Sequence, residues 1–337
     1  MPYGACAYFS IDGTLERIYT SHDDRTQYPG DPSWEHAKWA WRTSLFTAVT
    51  LVDHLGATHY SFSNLLVRIS RETLPPDHPV RRLLKAFTYG AVAINRDAAR
   101  TLSNHRGIAH RLFAFTYESL VRLLLHGVEM QRFRTFPDSI AAMRVEALGD
   151  RFLYAADGLA LYAVFNRYVD EYLQVYFTSN QLVEDGALRA FWRRLNDLAP
   201  AFALGALTHA GQVKDLFTQF MFTVTGNHAH VGGVVDYLFD PAFMGARIRP
   251  ALAESDVQST LQALNLTVLT GLRQPMLIGS YQHLLLDGPR HSDAVGTFER
   301  YQSDLEALAE RIEDRNTHIE QPFQTFNPRI LDTSVST

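Results

Sequence analysis

Cysteine is nearly absent from this 337-residue chain, and its one cysteine, Cys6, excludes an internal disulfide and a cysteine-based zinc cluster. Long apolar runs are lacking too, since no segment reaches the ~18 apolar residues that a membrane-spanning helix needs. The first residues, MPYGACAYFS, carry neither a basic region nor a long apolar stretch, so we predict no signal peptide. We therefore expect a soluble, cytoplasmic protein with no stable membrane insertion.

An excess of charge of one sign is also missing. The chain has 31 Lys and Arg against 36 Asp and Glu, which leaves a net charge of −5. Without a basic surplus, the composition does not favour a nucleic-acid partner. The motifs of a P-loop, a glycine-rich dinucleotide site, a His-Glu-x-x-His zinc site and a Gly-x-Ser-x-Gly nucleophile turn are absent as well.

Helical periodicity is what the chain does contain. Residues 34–72 hold no proline and one glycine, Gly56, and their apolar residues recur at intervals of three and four, which predicts one long helix ended by Pro75-Pro76. The same periodicity predicts further helices over 79–90, 92–104, 108–130, 158–177, 185–198, 211–231, 254–272, 274–286 and 293–316. We interpret Phe136-Pro137 as a break between helices.

The first 33 residues differ from this pattern. Apolar and polar residues alternate around Asp12-Gly13, which predicts a β-hairpin, and the polar stretch from residue 21 predicts a loop. We therefore predict a single, mainly α domain over residues 1–337. Its parts are a hairpin and loop (1–33), a helical core (34–321) and a C-terminal tail (322–337) whose apolar residues favour a buried position.

Histidine is the residue type that points to chemistry, because imidazole is the commonest protein ligand for zinc, iron and copper. His54 and His59 are five residues apart on the long helix. On a regular helix of 3.6 residues per turn they would point roughly 140° apart, a poor geometry for one metal. A π-type distortion, which Gly56 could ease, would bring them onto one face. Otherwise they are ordinary core or surface histidines.

The other histidine pairs favour plainer interpretations. His105 and His110 flank Arg106-Gly107, which indicates a helix break. His228 and His230 are two residues apart, so at most one of them can face a given metal on a helix. His291 and Asp293 form a His-x-Asp pair like that of facial-triad iron oxygenases, but their flanks are helical rather than extended.

Taken in order, these segments resemble the lipoxygenase family over most of the chain. IDGTLERIYT is similar to the family's strand pair, WEHAKWAW to the start of its iron-bearing helix, and DHLGATH to its His-x4-His motif. DHPVRRLLKAF, AINRDAARTL and FTVTGNHAHV resemble the segments that follow, the last of which holds a third ligand histidine. FERYQSDLEALAERIEDRN resembles the last helix, and DTSVST the family's C-terminus.

The resemblance implies a helical bundle around a metal-bearing long helix, with non-haem iron as the cofactor and manganese as an alternative. The histidines that it assigns as catalytic iron ligands are His54, His59 and His228. It assigns the C-terminal carboxylate of Thr337 as another ligand. The family's remaining side-chain ligand falls on Gly232, which has no side chain, so His230 or Asn227 is the candidate replacement.

The resemblance also implies substrate-binding positions. Ala98, or Ala99 if the alignment shifts by one residue, matches the family position that helps to set which face of the substrate meets oxygen. Leu102 matches a residue that packs against the reacting carbons. Plain helix packing is the alternative explanation for both positions.

The implied function is that of a non-haem iron oxygenase using O2 on an activated C–H of an unsaturated acyl chain or a similar hydrophobic metabolite. The first covering elements of the family's substrate channel have no counterpart here, so two alternatives stay open. One is an oxidase or hydroxylase acting on a small or carrier-bound natural-product intermediate, and the other is a metal-free scaffold or binding protein. The lack of a counterpart to these covering elements also predicts a homodimer or a partner protein that closes the channel.

Overall fold

A computed structural model describes residues 4–113, 115–233 and 275–335 of the chain. It begins with an antiparallel sheet whose strands β1 (Ala5–Phe9), β2 (Leu15–Thr20) and β3 (Arg25–Gln27) lie in sequence order. β1 and β2 form the predicted hairpin. The prediction of a loop from residue 21 onward was wrong at β3, which pairs with the free edge of β2 and so satisfies backbone groups there.

The predicted long helix is confirmed, although its hydrogen-bonding pattern changes twice. It runs without a break through α1 (Trp34–Thr47), a first π segment (Ala48–Ser63) and α2 (Asn64–Thr73). Leu74 is extended, with φ −96° and ψ 126°. The helix ends here because a residue that precedes proline is sterically kept out of the helical region.

The remaining helices of the described residues account for most of the core. They are α3 (Pro79–Leu84), α4 (Ala91–Thr101), α5 (Ile108–Leu112), α6 (Tyr117–Glu129), α7 (Phe136–Met143), α8 (Leu153–Tyr176), α9 (Ser179–Glu184), α10 (Gly186–Leu198), α11 (Ala210–Phe222), a second π segment (Thr223–Asn227), α12 (His228–Gly232) and α13 (His291–Asn316). Short 3-10 turns lie at Ala86–Thr88, Glu146–Arg151, Pro200–Phe202 and Gln282–Leu284.

Capping residues explain two differences from the predicted helices. The helix predicted over 108–130 is interrupted because Thr116 begins a new helix, its side chain accepting a hydrogen bond from the Ser119 backbone N–H. The break predicted at Phe136-Pro137 is the start of α7, which Thr135 caps. Proline suits the first turn of a helix, where its missing N–H would have no partner within the helix.

Two other predicted helices lie near the residues that are not described. The one over 254–272 falls outside the described residues. The described part of the one over 274–286 is not an α-helix. It contains a bridge between Met276 and Asp332 and the 3-10 turn at Gln282–Leu284. Residues 275–277 pair with the C-terminal tail, a contact that local periodicity cannot show.

The helical core brings α8 against both α11 and α13, while the first π segment packs against α6, α4 and α12. Tyr168 of α8 stacks on Tyr301 of α13 with ring centroids 4.2 Å apart, and both side chains are buried. The first π segment therefore lies inside a framework of packed helices.

No helix of the described residues combines the length and the apolar character that crossing a bilayer demands.

α6 approaches the first π segment closely because two glycines face each other. A Cβ atom on Gly127 would lie 2.3 Å from the Val52 carbonyl oxygen and 3.1 Å from the Gly56 Cα atom. A Cβ atom on Gly56 would lie 2.7 Å from the Leu124 carbonyl oxygen. Gly56 thus permits helix contact, a role beyond the local easing of the π distortion that the sequence suggested.

We expect Gly127→Ala to lower the free energy of unfolding by about 3 kcal/mol, at the upper end of the usual cost of overpacking. The atom in the way is a backbone carbonyl, which cannot rotate aside as a side chain can. Urea denaturation measures the effect. Gly186→Ala at the start of α10 is the matched control, since its Cβ would meet no atom within 4 Å. Equal stabilities of the two variants would contradict the close contact.

The tail folds back against the helical core. The Leu277 N–H donates to the Leu331 carbonyl at 2.8 Å, the Thr333 N–H donates to the Pro275 carbonyl at 2.9 Å, and the Ser334 hydroxyl donates to the Tyr89 carbonyl at 2.7 Å. The apolar side chains that this buries are those of Phe326, Leu331 and Val335. The tail is therefore buried at Phe326 and, for the most part, from Leu331 to Val335, whereas Ile330 is exposed and Thr337 lies outside the described residues. The division into one domain with three parts stays a prediction.

Candidate metal centre

Three histidine rings converge where the first π segment meets α12. The His59 Nε2 atom lies 3.1 Å from the His54 Nε2 atom and 3.0 Å from the His228 Nε2 atom. Within residues 4–113, 115–233 and 275–335, these form the one group of three or more His, Cys, Asp or Glu side chains whose ligand atoms all lie within 4.8 Å of one another. The predicted grouping of His54, His59 and His228 is therefore present in the fold.

The π segments explain how residues with this spacing meet. A π-helix bonds residue i to residue i+5, so residues five apart lie on one face. His54 and His59 use this geometry, and the Thr58 hydroxyl donates to the Asp53 carbonyl within the same widened stretch at 2.9 Å. The second π segment ends immediately before His228. Of the two alternatives that the spacing of five left open, the π distortion is the one present, over sixteen residues rather than as a single bulge.

The electrostatic environment keeps the three rings neutral. Burial lowers the pKa of His59 to about 4, and it lowers the pKa of His54 and His228 well below the ordinary value. Repulsion from His59 adds to this effect at the other two rings. At neutral pH the rings can therefore offer unprotonated Nε2 atoms, which is the form that binds metals.

The donor set fits a transition-metal ion. A nitrogen lone pair needs a donor or a cation opposite it, yet within the described residues the nearest polar atoms facing each Nε2 are other imidazole nitrogens. A single cation would satisfy all three nitrogens at once. Imidazole ligands suit zinc, copper, iron and nickel, so the three rings do not by themselves select the metal.

Sequence reasoning missed a polar residue that supports the site. Asn95 of α4 is buried, and its Oδ1 atom lies 2.7 Å from the His59 Nδ1 atom. Its Nδ2 group donates to the His59 carbonyl at 3.1 Å and to the Asn64 Oδ1 atom at 2.7 Å. The sequence offered one signal, since Asn95 lies on a helix that also contributes buried alanines. A buried amide needs hydrogen-bond partners.

The candidates for a further ligand have different surroundings. A Cβ atom on Gly232 would lie 3.1 Å from the His54 Nε2 atom, so position 232 does face the His54 ring. His230 is exposed, lies outside the group of three, and has its ring centroid 4.5 Å from that of Tyr154, so we do not retain it as a replacement ligand. Asn227 is half-buried at the end of the second π segment and stays a prediction, as does the Thr337 carboxylate.

The substrate positions implied by the resemblance fall on and just after α4. Ala98 is buried, whereas Ala99 is exposed, so the alignment without a shift is the one that places a small residue toward the interior. Leu102 is half-buried and packs against the apolar cluster that contains Leu51 and Leu55 of the first π segment. Both contacts also satisfy plain helix packing, and the substrate roles stay predictions.

The remaining histidine pairs lie outside the cluster. The His105 and His110 rings have centroids 5.3 Å apart and contact Tyr117, in the loop and short helix that follow α4. The His291 Nδ1 atom donates to the Leu286 carbonyl at 2.8 Å, at the start of α13. The helical flanks predicted for His291 and Asp293 are confirmed on the C-terminal side, where both residues begin α13.

Comparison with known proteins places these observations in one family. The sequence model described as Lipoxygenase matches residues 11–240. The epidermal-type polyunsaturated fatty acid (12S)/(13S)-lipoxygenase of Mus musculus is 26% identical over 91% of this chain and 50% of its own length. The polyunsaturated fatty acid lipoxygenase ALOX15 of Homo sapiens is 25% identical, also over 91% of this chain and 50% of its own length. The chain thus spans about half the length of these curated relatives.

Solved structures have the same fold. The delta413-417:GS lipoxygenase in complex with arachidonate superposes with a TM-score of 0.88 at 18% identity, over 99% of this chain and 54% of that one. A coral 8R-lipoxygenase superposes with a TM-score of 0.86 at 19% identity, over 99% of this chain and 55% of that one. The mainly α architecture around a long helix therefore matches that of these lipoxygenase structures. Since the family match covers more than half of the sequence, the chain belongs to the lipoxygenase family.

Proposed function

We propose that this protein is a non-haem iron oxygenase in which His54, His59 and His228 hold the metal and the Thr337 carboxylate completes the set. The observation that carries the proposal is that three neutral imidazoles converge, with the His54 and His228 Nε2 atoms 3.1 and 3.0 Å from the His59 Nε2 atom. Bound iron would supply the one-electron chemistry that lets O2 react with an activated C–H group. Manganese is the alternative metal, because carboxylate ligands suit it.

The chain's own residues would hold the metal and exclude water from it. His59 and His228 are almost completely buried, so the face of the cluster that they form is shielded from solvent. Leu51 of the first π segment is fully buried, as are Phe220 and Phe222 of α11, the helix that leads into the second π segment and α12. A dry apolar site of this kind protects a reactive intermediate from side reactions. Ala98 and Leu102 are the wall residues that we propose to contact the substrate.

The substrate class that we propose is an unsaturated acyl chain or a similar hydrophobic metabolite. The named relatives act on polyunsaturated fatty acids, and one of the similar structures holds arachidonate. A smaller or carrier-bound natural-product intermediate is the second candidate. The glycine at position 232, which faces His54, favours a third candidate, a scaffold that has lost its metal.

Metal analysis and oxygen uptake test these candidates together. Purified protein should carry close to one iron per chain and should consume O2 with linoleate. Uptake only with small metabolites would support the oxidase or hydroxylase, while protein that takes up no iron would support the scaffold and end our main proposal. His105→Ala is the matched control, since His105 lies outside the cluster and its loss should change neither result.

The partner predictions remain open to direct measurement. Leu125, Val128 and Met130 are exposed at the C-terminal end of α6, which supports an uncovered apolar face there. We propose a homodimer or a channel-closing partner on this basis. A well-behaved monomer in light scattering would count against the homodimer. The cytoplasmic location stays a prediction.

A further inference from the structure

Asn95 occupies an unusual place for an amide, since it is 5% exposed between α4 and the first π segment. An asparagine side chain has one carbonyl oxygen and two N–H donors. All of these groups have partners in the helix that carries the cluster. The oxygen faces the His59 Nδ1 atom at 2.7 Å, and the nitrogen faces the His59 carbonyl at 3.1 Å and the Asn64 Oδ1 atom at 2.7 Å.

The orientation of this amide follows from the His59 carbonyl, which can only accept a hydrogen bond. If the Asn95 amide were turned over, its oxygen would face that carbonyl oxygen and a hydrogen bond would be lost. Asn64 supports the same orientation, because its own Nδ2 group points to the Tyr60 carbonyl at 3.4 Å and leaves its oxygen toward Asn95. The Asn95 oxygen therefore faces the His59 ring, and the Nδ1 atom must donate to it.

A neutral imidazole carries one proton, so a proton on Nδ1 leaves Nε2 with a free lone pair. In His59 this is the nitrogen that faces the His54 and His228 rings. The opposite tautomer would direct an N–H group into the point where the three rings meet, where it would obstruct a metal. The backbone carbonyl of His59 thus determines, through Asn95, which nitrogen of its own ring is available.

We infer that Asn95 is a positioning residue that holds His59 in the Nδ1–H tautomer and so keeps its Nε2 atom ready to bind a divalent metal. The consequence for the metal rests on the proposed function, whereas the tautomer is a property of the chain alone. Among the three clustered rings, His59 is the one with an Nδ1 hydrogen bond inside the described residues. Orienting partners of this kind are typical of metal-binding histidines.

Nuclear magnetic resonance of the metal-free protein labelled with 15N-histidine tests the tautomer. Wild-type protein should show His59, identified by its absence in His59→Gln, protonated at Nδ1. Asn95→Leu, which removes the acceptor at similar size, should shift a large share of this ring to the Nε2–H form. A wild-type ring already in the Nε2–H form, or an unchanged tautomer in Asn95→Leu, would overturn the inference.

Metal affinity tests the consequence. In competition with a chelator for Fe(II), Asn95→Leu should bind roughly 10- to 100-fold more weakly than wild type, the usual cost of losing such a partner. Asn95→Asp keeps an acceptor for the Nδ1 proton and should bind more tightly than Asn95→Leu. Equal losses in both variants would indicate a merely structural role and overturn the inference.

Ser103→Ala is the matched control for this measurement. It removes the 2.6 Å hydrogen bond between the Tyr60 hydroxyl and the Ser103 hydroxyl, near the same helix contact, and leaves His59 untouched. Its Fe(II) affinity should equal that of wild type, and a loss as large as that of Asn95→Leu would count against a specific role for Asn95. If wild-type protein bound no metal, the proposed function would fail, yet the resonance experiment would still decide the tautomer.

Discussion

His228→Ala is expected to abolish iron retention and, with it, oxygen consumption. The His228 Nε2 atom lies 3.0 Å from that of His59, so its removal takes away one of three converging donors. Loss of a ligand should cost more than the roughly 10- to 100-fold that loss of an outer partner costs. Iron per chain after dialysis against a chelator, together with oxygen uptake, measures the effect.

A buried histidine outside the cluster provides the control for this experiment. His78 is 8% exposed and His228 is 7% exposed, so alanine at either position leaves a comparable cavity. His78 caps α3 through its Nδ1 atom and lies 3.3 Å from Asp185. His78→Ala should therefore lower stability without loss of iron. Iron retained in His228→Ala at the wild-type level would refute the assignment of the cluster as the metal centre.

The second large effect is expected at the C-terminus. Deleting Thr337, or extending the chain beyond it, should remove most of the bound iron, because the proposed carboxylate ligand would change position. One residue spans about 3.5 Å, so a deletion moves the terminal oxygens farther than a metal–ligand bond can stretch. Iron stoichiometry after a chelator wash is the measurement.

The packing of the tail fixes its position, so a change at its end has a clear expected result. Phe326 is buried against the second π segment, where a Cβ atom on Gly226 would lie 3.1 Å from its ring. The backbone hydrogen bonds of Leu331 and Thr333 to residues 275–277 set the register of the tail. The chain beyond Val335 has two residues, which can reach no farther than about 7 Å. The tail therefore cannot slide to compensate for an altered end.

A tag of the same length at the N-terminus is the control for the extended protein. The N-terminal sheet packs against α1 rather than against the ligand helices α12 and the first π segment, so an addition there should leave iron unchanged. The melting temperature of the metal-free deletion variant should stay near that of wild type, since the described packing of the tail reaches Val335. Unchanged iron in both C-terminal variants would exclude the carboxylate as a ligand.

Much of the local structure could be predicted from the order of residues. The spacing of apolar residues from 34 to 72 predicted the long helix, and the spacing of five between His54 and His59 left a π distortion open as one of two alternatives. Both are properties of one continuous segment, in which residue spacing and backbone geometry are directly linked. Pairings with other segments were not visible in this way, as β3 and the Met276–Asp332 bridge show.

In the metal centre, too, some features could be proposed from the sequence and others depend on packing between segments. The three histidines could be proposed from the resemblance of their segments to a known family, but His59 and His228 are 169 residues apart, and only packing brings their rings together. Asn95, the Gly56–Gly127 contact and the difference between Ala98 and Ala99 likewise follow from how helices pack. A periodic pattern indicates which face of a helix is buried, whereas the partner that this face meets depends on contacts between distant parts of the chain.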